Sequence, residues 1–183
     1  TRAGAMAGIA AGFAIWAWVL LMPNAAPANV SLTFGIRGPA FTVSAACASS
    51  GLAIIQAMEL LRSGAADVVI TGGTESSLTR LGIAAFCRMG AMATRFNDDP
   101  QRAIRPFDAN RSGLVMSEGA GILVLESEDS VARRGAVPHA EVLGYGSTSD
   151  AHHLVRPESS GQGAAHAIRQ ALTSAGTRAS EIA

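Results

Sequence analysis

Lysine is absent from this 183-residue sequence; all 14 basic residues are arginine, balanced by 14 acidic ones. A formal net charge of zero lacks the basic excess that a nucleic-acid clamp needs to neutralise phosphates. Cysteine is scarce. Cys47 and Cys87 lie forty residues apart with no CxxC spacing. That excludes a disulfide scaffold and a cysteine-rich zinc site, and it fits a reducing, cytoplasmic setting. Charged residues are only 15% and aromatics 5%, whereas hydrophobic residues reach 49%. Such a chain is too apolar for intrinsic disorder and rich enough to build a core. One compact domain of about 150 residues is the default at this length. No internal repeat or low-complexity tract interrupts it. The first residue, Thr1, points to a fragment or a processed product.

Charge is missing altogether from Gly4 to Met22, nineteen residues that include Trp16 and Trp18. The length meets the criterion for a membrane span. Its Ala and Gly content argues against insertion and for a helix buried in a larger α/β domain. After Pro23 short apolar runs alternate with amphipathic stretches. Phe41 to Ser44 is predicted as a short strand. Cys47 to Arg62 is predicted as a helix, with Leu52, Ile55, Met58 and Leu61 at helical spacing and Gly64 closing it. Asp67 to Thr71 reads as a buried strand ending at Gly72-Gly73. Ser77 to Met89 reads as a helix, and the polar stretch Thr94 to Gly113 as a long loop. Strands over Gly121–Glu126 and His139–Gly144 follow, with a short helix Ser127–Arg134, stopped by Gly135, between them. The helix Gly163–Ala175 has Gly176 in the stop position. Strands alternating with helices indicate an α/β layered fold with a mainly parallel sheet.

The chemistry concentrates at Ser44-Ala45-Ala46-Cys47-Ala48-Ser49-Ser50-Gly51. An extended run enters a turn of very small residues and a helix starts at once. A thiol there faces the positive end of the helix dipole, which favours the thiolate, and the small neighbours let a substrate approach the sulfur. This is the logic of a nucleophile elbow with sulfur in place of oxygen. A buried, inert cysteine is the alternative reading of the same spacing. Cys87, in Phe86-Cys87-Arg88, has no such setting and reads as packing.

The segment Gly38-Pro39-Ala40-Phe41-Thr42-Val43-Ser44-Ala45-Ala46-Cys47-Ala48-Ser49-Ser50 resembles the active-site segment of the β-ketoacyl synthases, or condensing enzymes. Further blocks agree in order and spacing. They are Ala66 to Glu75; Arg105-Pro106-Phe107-Asp108 with Arg111 and Gly113; and Glu118-Gly119-Ala120-Gly121 running into Val124-Leu125-Glu126. Ser149-Asp150-Ala151-His152-His153 is similar to the type II elongating synthases of fatty-acid synthesis. The resemblance covers residues 23–183, the central part of such a domain; residues 1–22 do not share it. Agreement of several blocks is far more specific than one motif.

The resemblance implies a thiolase-like αβαβα layered fold, of which this chain holds only part, and a homodimer. It implies acyl transfer from an acyl carrier protein to Cys47, followed by decarboxylative condensation with a malonyl-carrier in fatty-acid or polyketide synthesis. By position, Cys47 is the acyl-accepting nucleophile, with its own N–H donating to the thioester oxyanion. Phe86 falls at the acyl pocket and His153 near its mouth, as substrate-binding residues. Glu75 and Glu118 fall in family motifs as hydrogen-bonding supports. No metal and no cofactor is implied beyond the phosphopantetheine arm of the carrier. Acidic carriers imply a basic docking surface, with Arg80, Arg88, Arg95 and Arg102 as candidates and Arg105 and Arg111 as loop ties.

The chain also departs from the family. The resemblance puts two further histidines downstream, one in a His-Gly-Thr block, and none of His139, His152, His153 or His166 is followed by glycine. Alone, the chain is therefore expected to acylate poorly and not to condense. Ser112 and Ser117 stand where Asp and Gly are usual, and Val155 where a hydroxyl residue is usual. Two other function classes stay open: a non-catalytic remnant or dimer-forming scaffold of the same fold, and a membrane-anchored carrier-binding protein using Gly4 to Met22.

Overall fold

The structure is a computed structural model and describes residues 22–182. Most of the apolar run Gly4 to Met22 lies outside the described residues. Among the described residues no helix is long and apolar enough to cross a membrane. Residues 70–124 form one compact unit, and the described residues before and after them form the other.

The first helix, α1 (Ala25–Phe34), has no counterpart in the sequence-based expectation. Pro27 sits in its first turn, where the missing N–H costs nothing. Gly35 ends it with φ 66°, a left-handed conformation that glycine adopts without strain. The predicted helix from Cys47 divides in two: a 3₁₀ turn Ala46–Ala48, then α2 (Ser49–Arg62). It buries Ala57 and Met58, and Gly64 closes it with φ 70° as expected.

Strand β1 (Val68–Glu75) runs through Gly72-Gly73 rather than ending there, and pairs with β2 (Gly119–Glu126). The Asp67 carbonyl accepts from Ser127 N–H at one end, and Gly72 lies across from Gly121 and Ile122 further along. Residue numbers rise on one strand as they fall on the other, so this pair is antiparallel within a fold whose sheet is expected to be mainly parallel. Gly72 (φ 146°) has no room for a side chain, because a Cβ there would overlap the Gly121 carbonyl. The glycine pair in β1 is a device for close strand approach, not a strand terminus.

Helix α3 (Arg80–Arg88) starts at Thr79, whose side chain accepts from Gly82 N–H. The stretch 94–113 is a loop with one 3₁₀ turn, Pro100–Arg102, as its composition predicts. Its base is clamped by Ala93 N–H to the Leu114 carbonyl at 2.9 Å and Leu114 N–H to the Ala91 carbonyl at 2.8 Å. Arg105 lies 4.3 Å over the Phe96 ring and donates to the Arg102 carbonyl, and Arg111 donates to the Asp108 carbonyl. Both arginines are loop ties, as expected. The Ser112 hydroxyl is buried with no partner among the described residues.

Helix α4 (Glu128–Arg134) carries Glu128 and Asp129 in its first turn and Arg133 and Arg134 in its last, complementing the helix dipole. Helix α5 (Gln162–Ala175) ends at Gly176 with φ 64°. Two predicted strands are not strands. Among the described residues, neither 41–44 nor 139–144 has a neighbouring strand to bond to. The first is tied instead by the Thr42 hydroxyl donating to the Pro23 carbonyl, 2.8 Å away. The second leads into Gly144 and Gly146, which press on the α5 backbone at Ala171–Ala175 and Ala167, where no Cβ would fit.

Candidate active site

Cys47 sits in the middle of the 3₁₀ turn Ala46–Ala48, one residue before the turn gives way to α2. Its thiol is exposed. Small residues make this geometry possible: Ala45, Ala46 and Ala48 leave the sulfur unshielded. Ala46 takes φ 49°, the left-handed region that costs an alanine about 1–2 kcal/mol. The compensation is local. Ala45 N–H donates to Ser49 Oγ at 2.8 Å, and Ser49 Oγ donates to the Ala46 carbonyl at 2.7 Å. Two such bonds, each worth about 0.5–1.5 kcal/mol net, offset the strain. Ala48 N–H closes the turn on the Ala45 carbonyl at 3.0 Å. Among the described residues the Cys47 N–H has no acceptor, so a donor stands beside the sulfur, unspent. A nucleophile with its own N–H free has the elements of an acyl-transfer elbow.

His153 lies in the same unit as Cys47, in the loop of residues 148–157 that curls round an open hollow of about 490 Å³. Its Nδ1 accepts from the backbone N–H groups of Val155 (3.1 Å) and Arg156 (3.2 Å). The ring therefore organises its own loop, a role the sequence reading missed. The Asp150 carboxylate helps by accepting from Glu158 N–H at 2.9 Å.

Phe86 is half-buried in α3, in the other unit, and Cys87 beside it is exposed. Glu118 acts as a support: its Oε1 accepts from Ser76 Oγ and from Leu78 N–H, both at 3.1 Å. It thereby fixes the segment between β1 and α3. Glu75 is exposed at the end of β1. Among the described residues, no cluster of three or more His, Cys, Asp or Glu gathers as a metal site would require. Arg102 pairs with Asp99 at 3.7 Å, whereas Arg80, Arg88 and Arg95 form no ion pair among the described residues.

Residues 6–130 match the family described as Beta-ketoacyl synthase, N-terminal domain, and residues 139–183 match Beta-ketoacyl synthase, C-terminal domain. The chain is similar to the mitochondrial 3-oxoacyl-[acyl-carrier-protein] synthase of Arabidopsis thaliana, 42% identical over 162 residues, covering 88% of this chain and 35% of that protein. Among solved structures it is similar to a β-ketoacyl synthase from Burkholderia phymatum, with TM-score 0.81 and 41% identity over 88% of this chain and 39% of that one. It is also similar to a type II polyketide ketosynthase solved with its acyl-carrier protein, with TM-score 0.82 and 35% identity over 86% of this chain and 38% of that one. The fold is thus part of the thiolase-like α/β fold of the ketosynthases, and the chain spans less than two-fifths of the length of these relatives.

Proposed function

From the premise that this chain belongs to the β-ketoacyl synthase family, we propose that it carries the acyl-accepting half of a 3-oxoacyl-[acyl carrier protein] synthase site. The observation that carries this reading is the Cys47 turn: an exposed thiol at the opening of α2, beside its own N–H, which meets no acceptor among the described residues. The sulfur attacks the thioester carbonyl of an acyl chain borne on the carrier. The Cys47 N–H donates to the oxyanion that develops. The bond to the carrier's sulfur breaks, its thiolate leaves, and the acyl group stays on Cys47.

Condensation follows in the longer protein. A malonyl-carrier loses carbon dioxide, and the electron pair of the broken C–C bond attacks the acyl-Cys47 carbonyl. The Cys47 sulfur leaves, and a 3-oxoacyl-carrier is released. The family resemblance assigns the stabilisation of the malonyl-derived enolate to two histidines outside this chain. Phe86 is an acyl-pocket residue on this reading, and His153 shapes the loop near the entrance. The carrier's phosphopantetheine arm presents the substrate, with no further cofactor. The working unit is a homodimer in a reducing compartment such as the cytoplasm. An intact nucleophile turn weighs against a purely structural remnant, which has no use for the strain at Ala46.

The test is direct. The full-length protein is mixed with an acyl-carrier thioester and digested, and the peptide containing Cys47 is weighed by mass spectrometry. An acyl adduct on Cys47, lost in Cys47→Ala, is expected. Modification only elsewhere, or none at all, removes the proposal.

A further inference from the structure

Ser49 stands two residues after the nucleophile, and its hydroxyl faces backwards. It accepts the Ala45 N–H at 2.8 Å and donates to the Ala46 carbonyl at 2.7 Å. Both partners precede Cys47 in the chain. The hydroxyl is therefore not spent on capping the next turn of α2, the usual job of a serine at a helix start. It closes a ring around the one residue in the turn whose backbone is strained, Ala46 at φ 49°. Alanine has no intrinsic preference for that conformation, so something outside it must hold it there. Among the described residues, the only side chain bonded to the backbone of Ala45 or Ala46 is Ser49.

We propose that Ser49 is a positioning residue for Cys47: its hydroxyl holds Ala46 left-handed and so aims the thiol and the adjacent N–H as a pair. The inference rests on the acyl-transfer reading for its consequence in catalysis, though not for its geometry. If φ of Ala46 relaxes to the right-handed or extended region, the Cα–Cβ direction of Cys47 swings with the peptide that precedes it. The sulfur and the N–H then no longer address one carbonyl. A misplacement of about 1 Å at a reacting atom is enough to cost about a hundredfold in rate.

Full-length S49A, S49T and the double variant A46G/S49A separate this from a general loss of structure. Two rates are read. One is acyl transfer to Cys47 from an acyl-carrier thioester; the other is iodoacetamide alkylation of Cys47 relative to Cys87, an exposed thiol in the other unit that serves as an internal control. S49A is expected to slow acyl transfer by about tenfold or more with KM for the carrier little changed, and to change the Cys47-to-Cys87 alkylation ratio. S49T keeps the hydroxyl and retains both rates. Glycine at 46 adopts positive φ without strain, so A46G/S49A recovers much of the loss. Unaltered acyl transfer and alkylation in S49A, or a loss that A46G does not relieve, overturns the proposal. Should S49A not fold, S49T and S49V decide, since they match in volume and differ in the hydroxyl; equal rates for the two overturn it. Absence of acyl transfer in the unsubstituted protein would fell the acyl-transfer reading instead, and the alkylation ratio would then decide the role of Ser49 alone.

Discussion

At the residue scale, what separates Cys47 from Cys87 is backbone context and not exposure, since both thiols are exposed. The same lesson applies to the arginines. Six lie between Arg80 and Arg111 against three acids, Asp98, Asp99 and Asp108, which reads from sequence as one basic patch. The structure sorts them by what they already hold. Arg105 and Arg111 are bound into the 94–113 loop, and Arg102 is paired with Asp99. That leaves Arg80, Arg88 and Arg95 without an ion pair among the described residues, and on the proposed acyl-transfer reading they are the candidates to meet an acidic carrier. Arg88, in the last turn of α3 two residues after Phe86, is the first choice. A single rim charge acts mainly on encounter, so Arg88→Ala in the full-length protein should slow acyl transfer from carrier-bound donors by about two- to fivefold and flatten its salt dependence. Small-molecule thioester donors should be unaffected. An equal loss with both donors would show that Arg88 supports the pocket and does not meet the carrier.

At the scale of elements, local signals were readable and pairing was not. Gly64, Gly135 and Gly176 close α2, α4 and α5 where their positions predict, because a left-handed closing residue is a property of a few neighbouring residues. The small-residue turn at Cys47 was readable for the same reason. The left-handed Ala46 was not, since alanine carries no signature of positive φ. Residues 41–44 and 139–144 have strand-like sequences, but a strand also needs a partner, which lies far off in sequence. The antiparallel run of β1 and β2 likewise depends on a contact across some fifty residues. Where β2 meets α4 an ion pair joins the two elements. Arg134 grips the Glu126 carboxylate with two bonds, 2.8 Å and 2.6 Å, and Ser130 Oγ adds a third at 2.7 Å. These bonds, Arg134 first, hold the Glu126 carboxyl down from 4.5 to about 2. A carboxylate with a depressed folded-state value stabilises the native state above its unfolded value and loses that contribution as pH falls through the folded one. The α4 anchor should therefore be intact above pH 4.5 and weaken progressively toward about 2. Thermal unfolding of full-length Glu126→Gln should show a lower Tm than the unsubstituted protein at pH 6, with the gap closing over that window. A gap that stays constant down to pH 2.5 would mean that the Glu126–Arg134 pair is not the anchor.

At the scale of the whole molecule the decisive quantity is how little is covered. Among the described residues the buried hydrophobics are Ala57, Met58 and Ala103, with no large side chain fully buried. The two-stranded sheet shows the consequence most plainly. Ile122, Leu123 and Val124 are consecutive in β2, so they point alternately to opposite faces, and all three are exposed. A sheet apolar on both faces belongs in the interior of a layered fold, covered by helices on each side and flanked by further strands. Among the described residues β1 and β2 have only each other, which leaves each with an open edge there. The sequence is therefore written for a larger core than these residues complete, in keeping with a chain that spans 35% of the Arabidopsis relative. Expressed as 183 residues alone, it should bury these surfaces against copies of itself. Size-exclusion chromatography with light scattering should give dimers and larger species that grow with concentration, together with strong binding of a hydrophobic dye such as ANS. A monodisperse monomer with a single cooperative unfolding transition and no dye binding would show instead that residues 1–183 close a core of their own.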